Sequence, residues 1–181
     1  MRAHLGLGSN LGDRLGHLRA AVVALGELGA IVARSSVWES PPVAAPAGSG
    51  DFYNAAVALE TALDPERLLD ALLAIEARAG RRRDGVRNAP RTLDLDLLLV
   101  GGSDESGGRG DHADRVIHAT TSLQLPHPRL AERAFVLAPL CEIAAGVVHP
   151  VLHRSMAQLW EALRQGPGGA GGPPWRLALA L

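Results

Sequence analysis

The stretch Pro90-Arg91-Thr92-Leu93-Asp94-Leu95-Asp96-Leu97-Leu98-Leu99-Val100 reads as a core β-strand entered from a turn. Strand alternation sets Asp94 and Asp96 on one face and Leu93, Leu95 and Leu97 on the other. The two carboxylates then stand about 6–7 Å apart along the strand. Like charges that close repel unless a cation lies between or above them. Mg²⁺ suits the place, because it takes oxygen ligands and commonly binds one or two carboxylates plus substrate phosphates. A charged strand face open to solvent is the alternative reading. Arg91, just ahead of the pair, tilts the choice toward phosphate chemistry.

Working outward, Asp64-Pro65 starts a helix with an N-cap and a first-turn proline, and Gly80 ends it. Upstream lie an apolar strand from Ala3 to Leu7, the turn Gly8-Ser9-Asn10-Leu11-Gly12, and a helix to about Leu28. Leu11, Leu15, Leu18, Val22 and Leu25 form that helix's apolar face, and Gly29 is its stop. Ile31 to Trp38 reads as one strand, Ser40 to Gly50 as a loop, and Phe52 to Leu63 as a long third strand. Beyond Asp96, a strand is expected in Val116 to Leu125, as a hairpin with 95–101, after a polar surface excursion over 102–114. Helices are expected over 130–144 and from the Ser155-Met156-Ala157-Gln158 capping box to near Gly166. The order strand, helix, strand, strand, helix, strand is the split βαβ pattern. The expected fold is therefore α+β: a ferredoxin-like βαββαβ core with an antiparallel sheet, an extra hairpin and C-terminal helices. Residues 1–165 form one domain in this reading, and 166–181 a Gly/Pro-rich C-terminal tail.

Composition narrows the function. At 181 residues, 47% hydrophobic, the chain can bury a real core. Its net charge of −1 argues against general nucleic-acid binding. No apolar run is long enough for a membrane span, and no secretory signal opens the chain, so a cytoplasmic location is expected. Cys141 stands alone in an apolar stretch and reads as a small buried hydrophobe. All 18 basic side chains are arginine. Without lysine, a Walker A phosphate loop and a Schiff-base mechanism are excluded.

Six arginines, at 78, 81, 82, 83, 87 and 91, fall within fourteen residues and end at the aspartate pair. A phosphate clamp is a better reading than a merely solvated basic loop. Gly6-Leu7-Gly8-Ser9-Asn10-Leu11-Gly12-Asp13 has the wrong spacing for a dinucleotide fingerprint and reads as a tight turn with a helix cap, with a contribution to a ligand pocket as the alternative. His127, held between Pro126 and Pro128, suits a positioned ligand contact. Phe52, Tyr53 and Phe135 stand out in a chain with only six aromatics. A flat heterocycle would use aromatic faces, with Asn54 to read its edge.

Five segments together resemble the 6-hydroxymethyl-7,8-dihydropterin pyrophosphokinase family. They are Gly6–Asp13, Ser40-Pro41-Pro42-Val43, Phe52-Tyr53-Asn54-Ala55-Ala56-Val57, Pro90–Asp96, and Leu125–Leu130 with Arg133–Leu137. The resemblance implies transfer of pyrophosphate from ATP to the pterin hydroxymethyl group, leaving AMP, in folate biosynthesis. It implies catalytic roles for Arg81, Arg91, Asp94 and Asp96, with two Mg²⁺ ions on Asp94 and Asp96. Glu76, Arg83, Arg91, His127 and Arg133 would serve ATP; Ser40, Pro41, Val43, Phe52, Asn54 and Phe135 would serve the pterin. Partners are then two small molecules, with no nucleic acid, no membrane and a monomeric chain. Asn88-Ala89 stand where relatives often carry Trp-Gly, and Pro128 where some carry an aromatic. A phosphotransferase or nucleotidyltransferase with another acceptor is the nearest competitor, and a non-catalytic ligand-binding module the next.

Overall fold

The computed structural model describes residues 1–81, 89–101, 117–166 and 174–181. Arg82, Arg83, Arg87, Asn88 and the 102–114 excursion lie outside the described residues, as does most of the Gly/Pro run.

Among the described residues, eight strands and four helices follow in the order β1 (Arg2–Ser9), α1 (Arg14–Gly26), β2 (Ala30–Arg34), β3 (Trp38–Ser40), β4 (Phe52–Glu60), α2 (Pro65–Arg78), β5 (Asp94–Val100), β6 (His118–Ala119), β7 (Gln124–Leu125), α3 (Ala134–Ala144), α4 (Met156–Gln165) and β8 (Trp175–Arg176). The main sheet runs β5-β1-β4-β3-β8, with β2 also paired to β4, and its recorded pairings are antiparallel. β1 and β4 sit at its centre and are buried along most of their length because helices cover both faces. On one face Leu5 and Leu7 of β1 pack with Leu18 and Leu25 of α1, Leu68 and Leu72 of α2, and Leu95 and Leu97 of β5. On the other, Ala56 and Leu98 pack with Leu137 and Leu140 of α3 and Met156 and Leu159 of α4. No described helix is long and apolar enough to cross a membrane.

The expected caps at Asp64 and Ser155 form: Asp64 accepts from the Arg67 N–H, and Ser155 and Gln158 exchange both bonds of a capping box. Other expectations are corrected by tertiary contacts. The segment Ile31 to Trp38 is not one strand. Ser35 leaves the ladder because its Oγ accepts the Ala56 N–H at 2.8 Å, and β2 and β3 then pair separately with β4. Leu11 is 49% exposed and precedes α1, which Asp13 caps. α1 stops at Gly26, and Gly29 serves another purpose: a Cβ there would lie 2.1 Å from the Glu60 carbonyl oxygen. The third strand ends at Glu60 rather than Leu63. The expected hairpin partner of 95–101 folds instead on itself, β6 against β7, and is tied to β5's end by the His127 N–H on the Leu98 carbonyl. The helix expected over 130–144 is two pieces, a 3-10 turn at Leu130–Glu132 and α3, because Arg133 between them is extended. The last eight residues join the sheet: Trp175 and Arg176 pair with β3, and Leu177, Leu179 and Leu181 pack against the core.

Candidate active site

Strand register builds the floor of a cavity of about 640 Å³. Asn54, Gly8 and Asp94 form one row across β4, β1 and β5; Ala56, Gly6 and Asp96 form the next. These rows share a face, so the two aspartates project together as the alternation requires. Neighbouring strands lie about 4.8 Å apart, which separates Asn54 from Asp94 by roughly 10 Å with only a glycine between. A methyl group on Gly8 would touch Phe52, Asp94 and Asn54 at 3.6–3.8 Å. The bare backbone of β1 therefore keeps the floor open, and in this way the glycine segment enters the site rather than serving only as a turn.

One wall is charged. Gly80, with φ +81°, closes α2 in a Schellman turn, its own N–H on the Ala77 carbonyl and the Arg81 N–H on the Glu76 backbone carbonyl. That turn brings Arg81 back over the helix end, where its guanidinium donates to both Glu76 and Asp94. Glu76 is 2% exposed and also accepts the Leu95 N–H at 2.7 Å, so it ties α2, β5 and Arg81 together. Arg91 donates to the other Asp94 oxygen at 3.0 Å. Among the described residues, Asp96 has only the longer ion pair with Arg133, 3.8 Å. It opens into the cavity, yet burial, and then the charge of Asp94, push its carboxyl up to about 6. His127 is held well below its usual value, at about 4, by burial and by Arg133 and Arg129. Its Nδ1 accepts the Arg129 N–H at 3.2 Å, which leaves the proton of the neutral ring on Nε2.

The opposite wall is flatter. Ser40, Pro41, Val43, Phe52 and Phe135 line it, with Asn54 at its base. Asn54 is buried, and its amide nitrogen is taken by Ser40 Oγ at 2.9 Å and the Phe52 carbonyl at 3.3 Å. Among the described residues its Oδ1 accepts nothing and stays available to a ligand N–H. Arg91 and Arg133 approach the Phe52 and Phe135 rings at 5.6 and 5.4 Å. Tyr53 points to the other face of the sheet and stacks on Arg14 at 3.7 Å.

Of the residues expected from the sequence, Arg81, Arg91, Asp94, Asp96, His127, Arg133, Ser40, Pro41, Val43, Phe52, Asn54 and Phe135 all line this cavity. Glu76 stands behind it, and Arg83 is outside the described residues. Gly6 and Gly8 of the glycine turn segment, for which a pocket contribution is the alternative reading, also line it, whereas Arg129 and Glu132 are not singled out from the sequence. Arg129 and Glu132 follow His127 in a polar stretch with no periodic signal to single them out. Cys141 is half-buried and its thiol is pushed up to about 11 by burial, in keeping with an unreactive side chain.

Cations able to meet phosphate occupy one half of the cavity, and flat apolar surface with one hydrogen-bonding edge the other. A site divided in this way defines a transferase that brings a phosphoryl donor to a planar organic acceptor. The family model described as 7,8-dihydro-6-hydroxymethylpterin-pyrophosphokinase matches residues 4–145, and the chain belongs to that family. It is 43% identical over 152 residues to the 2-amino-4-hydroxy-6-hydroxymethyldihydropteridine pyrophosphokinase of Methylorubrum extorquens, which covers 81% of this chain and 85% of that one. The enzyme of the same name from Bacillus subtilis is 42% identical over 147 residues, 80% and 79% of the two chains. A solved structure of Plasmodium falciparum HPPK-DHPS with pterin and p-hydroxybenzoate has the same fold, at TM-score 0.66 and 15% identity. The alignment covers 97% of this chain but only 46% of that longer one.

Proposed function

We propose that this cavity transfers the pyrophosphoryl group of ATP to the hydroxymethyl group of 6-hydroxymethyl-7,8-dihydropterin, releasing AMP and the pterin diphosphate for folate synthesis. The observation that carries the reading is the row Asn54–Gly8–Asp94, which sets an edge-reading amide and a phosphate-side carboxylate on one open floor. The pterin lies between Phe52 and Phe135, its N–H edge donating to Asn54 Oδ1. Ser40 fixes that amide, and Pro41 and Val43 close the side of the niche. On the donor side Arg81, Arg91 and Arg133 meet the triphosphate, with the Nε2–H of neutral His127. Glu76 belongs to this half by anchoring Arg81, and Arg83 joins it on the family resemblance alone.

Asp94 and Asp96 are the residues that would hold Mg²⁺, two ions with ATP. The fit rests on geometry: Asp94 and Asp96 stand on one face of β5 and both line the cavity, where two close carboxylates repel and a divalent cation relieves that. Among the described residues no third His, Cys, Asp or Glu completes a cage, which suits Mg²⁺ taking its other ligands from phosphate and water. When bound, the metal supplies charge neutralisation and polarisation of the phosphoryl oxygens. The chain's own part is orientation. Arg81 and Arg91 exchange Asp94 for phosphate oxygens, the aromatic walls aim the acceptor hydroxyl at the β-phosphorus, and the guanidiniums stabilise charge on the departing AMP. Positioning and electrostatics of this kind suffice for phosphoryl transfer without a dedicated protein base.

The spatial order of the core strands supports the ferredoxin-like description of a monomeric, cytoplasmic enzyme whose pyrophosphokinase domain, expected over 1–165, also takes in the C-terminal β8. Asp94→Ala and Asp96→Ala are each expected to abolish turnover while circular dichroism still reports a folded protein. Near-normal turnover in either variant would refute the metal assignment.

A further inference from the structure

The turn between β1 and α1 contacts both halves of the cavity from behind. Asn10 is 7% exposed. Its Oδ1 accepts the Arg91 N–H at 2.8 Å, and its own N–H donates to the Arg91 carbonyl at 3.1 Å. One residue thus grips the Arg91 peptide on both sides, as a strand partner would. The same side chain donates from Nδ2 to the Gly50 carbonyl at 3.1 Å. Gly50 closes the loop that begins after Ser40 and carries Pro41 and Val43, and Phe52 follows two residues later. Arg14 strengthens the anchor by donating to the Asp51 carbonyl at 2.7 Å. On the charged side, Arg91 reaches Asp94, and its buried Nε has no partner among the described residues. Asn10 is not among the residues that line the cavity, yet the backbone of a phosphate-side arginine and the end of the acceptor-side loop hang on one amide.

We propose that Asn10 is a positioning residue that couples the two halves: it holds the Arg91 guanidinium on the transferring phosphates in register with the loop that seats the acceptor. This rests on the donor and acceptor halves assigned above. Because Asn10 acts through Arg91, its loss matters to the rate only while that guanidinium is present. The Nδ2 bond to Gly50 serves acceptor binding separately. A role in stability alone makes neither distinction.

The test compares wild type, Asn10→Ala, Asn10→Asp, Arg91→Ala and the double variant Asn10→Ala/Arg91→Ala. Steady-state kinetics are followed by AMP release, with thermal melting of each protein alongside. Asn10→Ala should lower kcat by about 10- to 100-fold, the scale on which small misplacements slow a reaction. In the Arg91→Ala background the same change should cost less than about 3-fold. Asn10→Asp keeps an acceptor for the Arg91 N–H but sets an oxygen against the Gly50 carbonyl, so it should raise KM for the pterin more than for ATP. Equal losses in the two backgrounds would overturn the proposal, as would a kcat within 2-fold of wild type in folded Asn10→Ala. Should Asn10→Ala not fold, Asn10→Asp decides: equal KM changes for the two substrates would overturn the coupling. Wild type that releases no AMP would refute the assigned reaction itself, whereas AMP release with additive losses would refute only the role of Asn10.

Discussion

The two aspartates at the centre of the site should respond to neutralisation in opposite ways. Asp94→Asn removes the charge that Arg81 and Arg91 both grip. Hydrogen bonds to charged groups contribute about 1.5–3 kcal/mol each. With the Asp94 side chain 23% exposed and Arg81 still held by Glu76, the lower end applies, a total loss of about 2–3 kcal/mol. A chain of this size loses about 2–4 °C of Tm per kcal/mol, so the melting point should fall by about 4–12 °C. Asp96→Asn should do the reverse. Burial and the Asp94 charge raise the Asp96 carboxyl from 3.8 to about 6 in the folded protein, against the 3.8 Å pair to Arg133. The folded state then binds that proton more readily than the unfolded chain. An ionised Asp96 weakens the fold above pH 6, and the penalty fades as pH drops toward 4. Asp96→Asn should therefore melt higher than wild type at pH 7.5 and level with it near pH 4. Differential scanning fluorimetry without nucleotide or Mg²⁺ reads both effects. Shifts of the same sign at pH 7.5, or an Asp96→Asn gain that persists at pH 4, would refute the electrostatic description of the pair.

Glu76→Ala should destabilise by about 3–5 kcal/mol in chemical denaturation, since it strands the buried Leu95 N–H and frees Arg81 from its buried partner; Glu76→Gln, which still accepts from Leu95, should lose less. Gly29→Ala places a methyl group inside the Glu60 carbonyl and should cost about 1–3 kcal/mol by the same measurement, although Gly29 lies far from the site. Asn54→Ala should weaken pterin binding about 10- to 100-fold by titration calorimetry, the scale of about 1–3 kcal/mol for a lost buried hydrogen bond, while binding of an ATP analogue stays within about 2-fold.

Residues whose roles follow from local pattern were legible in the sequence. The 90–100 strand reveals itself by alternation, Asp64 and Ser155 by capping, and Gly80 by its place after a helix. Asp94, Asp96, Phe52 and Asn54 were legible as candidates because their types match the chemistry. What stayed hidden depends on contacts between distant segments. Nothing near Ser35 says that its hydroxyl will take the Ala56 N–H and split a strand. Gly29 looks like a helix stop because its real constraint, the Glu60 carbonyl, comes thirty-one residues later. Glu76 carried a signal that residue-level reading passed over: it is a charge on the buried stripe of Leu68, Leu72 and Ile75. Asn10 gave none, since an asparagine in a glycine turn is ordinary and its partners, Gly50 and Arg91, are remote in the chain.

The central claim is that an intact pyrophosphoryl group passes from ATP to the pterin alcohol. The direct measurement supplies ATP labelled on its α-phosphorus, Mg²⁺ and 6-hydroxymethyl-7,8-dihydropterin, and separates the products. The account predicts that all transferred turnover leaves the label in AMP, one AMP per pterin diphosphate formed. Label in ADP with a pterin monophosphate, or label carried onto the pterin itself, would contradict it.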